Sequence, residues 1–282
     1  MPACLPLLRH PLGLLLALLL LVSSAASNVA VARSIAPSAA QEAVACTSAI
    51  SFGETRQCSV ESEGESDTFT FTAAANDEIK VRMVRLSGDL NPAVHIYNSS
   101  STSICSAFTS DKVVEIGHCT IPTAGSYKLV ADDTYRTNTG SYYLYVQRLN
   151  NPGNAQPINF GQTQPGAIEL DSEIDSFSFR AAGGTVAKIR MTRAANTLRP
   201  RIRIYDPAGN NICSDFSSSE TTEISRCDLP LLGTYTILAD DTGSRLGSYS
   251  IYLECVEGEC SLATERIYLP LIAYVPGLPE TP

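Results

Sequence analysis

Residues 127–134, YKLVADDT, return at residues 235–242 as YTILADDT, 108 positions further along the chain. The alternation of apolar and polar side chains in both describes a strand that runs into a pair of carboxylates. The same offset aligns what lies upstream. Phe52-Gly53 matches Phe160-Gly161, and the D-x-F-x-F of Asp67, Phe69 and Phe71 matches that of Asp175, Phe177 and Phe179. Lys80, Arg82, Met83 and Arg85 match Lys188, Arg190, Met191 and Arg193. Ile96-Tyr97 matches Ile204-Tyr205, and Ile104-Cys105-Ser106 matches Ile212-Cys213-Ser214. Cys119, Pro122 and Gly125 match Cys227, Pro230 and Gly233. Downstream, one residue is lost, and Gly140-Ser141-Tyr142 matches Gly247-Ser248-Tyr249. A single unit has been duplicated.

Each unit of about 100 residues alternates with period two, which puts one side of every strand in a core and the other in water. Turns rich in Gly, Pro, Asn and Asp separate the strands, as at Asp206-Pro207-Ala208-Gly209-Asn210. The expected fold class is all-β, with two tandem antiparallel β-sandwiches. An immunoglobulin unit fits poorly, because the chain has no tryptophan and its repeated cysteine pair is closely spaced.

The 282 residues divide on this reading into a signal peptide over 1–26, a flexible lead-in over 27–45, a first β-sandwich over 46–148, a linker over 149–156, a second β-sandwich over 157–260 and an apolar C-terminal tail over 261–282. Arg9 and His10 precede the apolar run Leu12–Val22, and small residues follow through Ala26. That is the pattern of a cleaved secretory signal, and the run is too short for a spanning helix. No later segment is read as transmembrane. The linker LNNPGNAQ is short enough for the sandwiches to touch. The tail carries Ile267-Tyr268-Leu269 and Leu271-Ile272, too apolar for a free end. It is expected either to cover an edge or groove of the second sandwich or to pair with another chain.

Removing the signal removes Cys4 and leaves an even set: Cys46, Cys58, Cys105, Cys119, Cys213, Cys227, Cys255 and Cys260. On an exported chain these are expected to form disulfides. The repeat pairs Cys105 with Cys119 and Cys213 with Cys227. Cys46–Cys58 would staple the start of the first unit, and Gly166 stands at the place of Cys58 in the second. Cys255–Cys260 would close a turn, with a cross-chain bridge as the alternative.

The quoted strands resemble the bacterial pre-peptidase C-terminal domain family. The resemblance rests on DTFTF and DSFSF, on VHIYN and IRIYDPAGN, on GSYKLVA and GTYTILA, and on GSYYLYV and GSYSIYL. It covers residues 46–148 and 157–254. It implies β-sandwiches of jelly-roll-like topology that accompany exported enzymes, with some members binding substrate or matrix. No peptidase domain adjoins the two units, which sets this chain apart from the family's usual context.

Acidic residues outnumber basic ones and the formal charge is -9, so nucleic acid and anionic membranes are poor partners. No metalloprotease, P-loop, nucleophile-elbow or dinucleotide motif is present. His95 and His118 align with Arg203 and Arg226, so the units share no catalytic histidine. A triad assembled in space around either histidine is weighed and set aside. Asp132-Asp133 and Asp240-Asp241, with Asp67 and Asp175, could offer oxygen ligands to calcium or bond to turn amides. The sequence does not choose between those roles, and no cofactor or metal is assigned. Asn98-Ser99-Ser100 is a formal glycosylation acceptor. The repeated basic strands could contact an acidic glycan or protein, although a solvated face is the simpler expectation. The leading expectation is a secreted non-catalytic surface or binding module for glycan, matrix or cell-envelope protein. The alternatives are an assembly subunit that self-associates through its tail and a cryptic extracellular hydrolase.

Overall fold

Short alternating segments punctuated by turn residues fold as strands wherever the computed structural model describes the chain, over residues 46–194, 197–243 and 245–260. Among these residues there are 17 strands and no helix. The first repeat contributes β1 (Glu54–Val60), β2 (Ser66–Ala73), β3 (Glu78–Arg85), β4 (Pro92–Tyr97), β5 (Ser103–Phe108), β6 (Val113–Thr120), β7 (Gly125–Asp133) and β8 (Gly140–Arg148). The second contributes a two-residue β9 (Gln156–Pro157), then β10 (Gln162–Ile168), β11 (Asp175–Ala181), β12 (Thr185–Arg193) and β13 (Pro200–Tyr205). It continues with β14 (Asn211–Phe216), β15 (Thr221–Leu229), β16 (Gly233–Asp241) and β17 (Gly247–Glu257).

Each repeat is a sandwich of two antiparallel sheets. The first has strand orders β1-β8-β3-β6 and β2-β7-β4-β5. The second has β10-β17-β12-β15 and β14-β13-β16-β11, the latter extended by β9 lying parallel to β11. These are the interleaved orders of a jelly roll, in which consecutive strands lie in opposite sheets except for the paired hairpins β4–β5 and β13–β14. Small irregularities are copied as well. The bulge between Ile79 and Val81 in the β3–β6 pairing recurs between Ala187 and Ile189 in the β12–β15 pairing.

Inward side chains close two separate cores. Phe69, Ile79, Val81, Met83, Ile96, Leu129 and Leu144 fill the first, and Phe177, Ile189, Met191, Ile204, Ile237 and Leu253 fill the second. An aromatic triplet repeats in each. Phe52 meets Phe71 edge-on at 5.7 Å and Phe71 stacks on Tyr127 at 5.8 Å; Phe160, Phe179 and Tyr235 do the same at 5.6 and 5.5 Å.

Among the described residues four disulfides are formed, Cys46–Cys58, Cys105–Cys119, Cys213–Cys227 and Cys255–Cys260, with Cα separations of 5.7, 6.1, 6.0 and 5.5 Å. The two equivalent bridges tie β5 to β6 and β14 to β15, one strand from each sheet. In the second repeat the end of the Tyr249 side chain fills the place where a counterpart of Cys46–Cys58 would begin. A Cβ at Gly166 would lie 2.3 Å from the ring of Tyr249.

The linker residues do not stand clear of the sandwiches. Leu149 is buried with Tyr145, Ile174, Tyr205 and Leu238 in a third apolar cluster between the repeats, and Gln156–Pro157 becomes β9. The signal, lead-in and tail expectations fall on 1–45 and 261–282, outside the described residues. Among the described residues no helix is long and apolar enough to cross a membrane.

Candidate binding face

The repeated basic strands meet opposite fates. On β3, Ile79, Val81 and Met83 point into the core, so Lys80 and Arg82 point out of the sandwich. That outer face is covered by the outer face of the sheet containing β13 and β16. Lys80 and Arg82 are consequently 1% and 3% exposed, and the expectation of a solvated basic strand fails in the first repeat. Arg85 and Arg193 have a further shared role, each donating to a loop carbonyl, Leu90 at 2.7 Å and Leu198 at 2.8 Å.

A charge cluster fills the junction. Asp240 of β16 is fully buried and accepts from Arg82 at 3.1 Å, Arg201 at 2.8 Å and Arg203 at 2.8 Å. Burial alone would raise its pKa, but the Arg203, Arg201 and Arg82 guanidiniums hold it down at about 2. Glu115 of β6 accepts from Lys80 at 2.8 Å and lies within 3.5–3.8 Å of Arg82, Arg203 and Arg201. Burial opposes its ionisation, and Lys80 and Arg203 outweigh burial, so it stays below the usual carboxylate range. Four cations thus share two carboxylates. Burial and the Arg203 charge push the Lys80 ammonium down to about 8. Neutral bonds flank the cluster: Gln147 to Ser176 at 2.8 Å and Thr236 to the Leu149 carbonyl at 2.7 Å.

Among the described residues, nothing covers the equivalent face of the second sandwich. Lys188, Arg190, Glu223 and Tyr252 occupy the places of Lys80, Arg82, Glu115 and Tyr145. Lys188 lies 3.4 Å from Glu254 and 3.9 Å from Glu223, and the Arg190 guanidinium lies 5.6 Å from the Tyr252 ring centroid. Arg190, Tyr252 and Glu223 line a shallow depression of about 460 Å³ with the hydroxyls of Thr163, Thr192, Thr221 and Ser250. An aromatic face, a guanidinium over it, a carboxylate and neighbouring hydroxyl residues, of which Thr192 and Thr221 bond each other at 3.2 Å, offer apolar contact, donors and acceptors together.

The other residues singled out in the sequence disperse. Asp133 accepts the amides of Asn91 at 2.8 Å and of Tyr135 and Thr137 at 3.1 Å each, and Asp241 accepts that of Arg245 at 2.9 Å. Burial raises the Asp133 pKa, but the Asn91 and Thr137 amides dominate and lower it. These carboxylates hold turns. Adjacent Asp132 and Asp240 point out of their sheets, so neither acid pair converges on one point. Asp67 and Asp175 are occupied by Tyr142 and Tyr249, the latter at 2.6 Å. Burial lifts Asp175 to about 6 against the Tyr249 bond, and Asp67 shifts the same way. His95 Nε2 lies 3.6 Å from Asp132 and His118 Nε2 3.1 Å from Glu78. Ser66 donates to Asp132 rather than to a histidine, which is not the order of a catalytic triad. The Asn98 side chain accepts the amides of Ser100 at 3.0 Å and Thr102 at 2.8 Å, closing the β4–β5 turn.

Sequence reading overlooked Arg201 and Arg203 and both Tyr–Asp pairs. The pairs carried a usable signal, since Asp and Tyr recur together in both repeats. The two arginines carried none, because Ala93 and His95 stand at their places in the first repeat.

No protein-family model and no curated protein matches the chain. Among solved structures it is similar to the pre-peptidase C-terminal domain of a Bacillus anthracis collagenase, at 15% identity and a TM-score of 0.33, over 37% of this chain and 98% of that one. It is similar to Aeromonas hydrophila PliG, a periplasmic inhibitor of g-type lysozyme, at 12% identity and 0.27, over 36% and 96%. The PBSX exported protein XepA is similar at 10% identity and 0.26, over 72% and 87%.

Proposed function

We propose that the chain is a secreted, non-catalytic binding module whose recognition surface is the open face bearing Arg190, Glu223 and Tyr252. One observation carries this reading. The same face in the first repeat already makes a contact that buries Lys80, Arg82 and Asp240, while its counterpart in the second repeat keeps Lys188, Arg190, Glu223 and Tyr252 and is covered by none of the described residues. Four disulfides support export, because such bonds persist in oxidising compartments. Membership of the pre-peptidase C-terminal domain family belongs to this proposal. It rests on the quoted strand motifs and on a jelly roll repeated strand for strand.

A screen of extracellular glycans and of matrix and cell-envelope proteins, repeated with an Arg190→Ala/Tyr252→Ala variant, tests the reading. Loss of at least about tenfold in affinity is expected, because buried Tyr and Arg anchors dominate such contacts. A ligand bound equally well by wild type and variant would overturn it.

A second reading is assembly through the tail. β9 pairs with β11 only at Phe177 and Ser178, leaving the rest of that edge uncovered by β9. A depression of about 610 Å³ beside it is lined by Ile158, Phe160 and Phe179 and reaches Cys260, where the tail begins. Addition of a strand at this edge would be β-augmentation.

A further inference from the structure

The junction between the two sandwiches is heterologous. One partner face is the outer side of the sheet containing β3; the other is the outer side of the sheet containing β13 and β16. Among the described residues, one face of each kind is therefore left unused: the β12 face of the second sandwich and the β4–β7 face of the first. We propose that these two faces dock between molecules, so that a second copy of this chain occupies the open face and repeats the internal junction. The inference rests on the reading of that face as the recognition surface and names its partner.

The transposed polar contacts keep a donor opposite an acceptor. Arg82 on Asp240 becomes Arg190 on Asp132. Asp132 is already buried, and its Oδ1 accepts no hydrogen bond among the described residues. Its counterpart Asp240 takes three guanidiniums in the internal junction. Arg203 facing Glu115 becomes His95 facing Glu223. Gln147 with Ser176 becomes Glu254 with Thr68, where the hydroxyl donates. Thr236 on the Leu149 carbonyl becomes Lys128 on the Val256 carbonyl. The apolar cluster becomes Tyr252 and Val256 against Tyr97 and Val130, and Val256 is 46% exposed in the single chain.

Several positions depart from the pattern. Ser66 stands in for Ile174 of the apolar cluster, and Gly64 for Ser172, whose hydroxyl meets the Arg82 carbonyl. Ala93 stands in for Arg201, so Asp132 gains one guanidinium fewer. At the rim, Lys112 pairs with Asp171 at 3.0 Å inside the chain, and the transposed positions are Glu220 and Glu63, of like charge. The internal junction also has the linker, which supplies an effective concentration on the order of millimolar. Association between molecules is consequently weak. Because a heterologous contact need not close, it produces open head-to-tail chains.

Sedimentation equilibrium of the full secreted chain, disulfides intact and at concentrations up to about 1 mM, reads the result. The weight-average mass rises with concentration for the wild type. Arg190→Glu, an exposed substitution that leaves the cores untouched, abolishes the rise. Glu220→Lys recreates the Lys112 pairing against Glu63 and moves the rise to lower concentration. A monomer throughout for both wild type and Glu220→Lys would overturn the inference, as would association indifferent to Arg190→Glu. A monomer that still binds a glycan or foreign protein through Arg190 and Tyr252 would sink self-docking and leave the recognition surface standing.

Discussion

Replacing Lys80 by Met should stabilise the protein at neutral pH. The ammonium sits almost without solvent beside Arg82, Arg201 and Arg203, and burial together with the Arg203 charge brings its pKa to about 8 from 10.5. Between those two values the unfolded chain holds a proton that the folded chain has released, so wild-type stability rises with pH across that window. The gap corresponds to about 3 kcal/mol, a penalty present in full below pH 8. Methionine removes the charge and keeps most of the stem's volume. Glu115 retains Arg82, Arg203 and Arg201 within 3.5–3.8 Å. We expect Lys80→Met to gain about 1–3 kcal/mol at pH 7, and the advantage to shrink towards zero near pH 10.5. Urea unfolding of both proteins at pH 7 and pH 10 measures it through the midpoint at constant m. Lys188→Met, the same change on the open face, is the control and should shift stability by no more than about 0.5 kcal/mol. A Lys80→Met protein less stable than wild type at pH 7, or an advantage unchanged at pH 10, would refute the argument.

Asp240→Ala should cost about 3–5 kcal/mol, because it strands three guanidiniums in a dry junction, whereas Arg190→Ala should be nearly neutral in the same denaturation assay. Asp175, raised to about 6 by burial, holds a proton in the folded state between pH 4 and 6 that the unfolded chain has lost. Stability should therefore fall as pH rises through that range, and Asp175→Asn should flatten the slope in thermal melts. Replacing Cys105 and Cys119 together by Ala should cost about 3 kcal/mol, the loop-closure value for a separation of 14. A melting temperature unchanged from wild type would contradict the staple role of that bridge.

The repeat, the strands and the two equivalent disulfides were legible because they depend on local alternation and on spacing that recurs at a fixed offset. Lys80 and Lys188 show where such legibility stops. Both follow Ile or Ala on an outward strand position with arginine two residues later, yet one is sealed and the other faces solvent. The acid pairs behave alike: Asp133 and Asp241 both hold turns, while Asp132 stays beside His95 and Asp240 collects three arginines.

Side-chain alternation along each strand and matched cysteine spacing were set by the chain alone, because both act over a few residues and do not depend on what lies beyond the sheet. Which outer face would be buried was decided only when the two sandwiches met. Desolvation depends on the surface that arrives opposite, and that surface comes from residues more than 100 positions away, as Arg82 and Asp240 do.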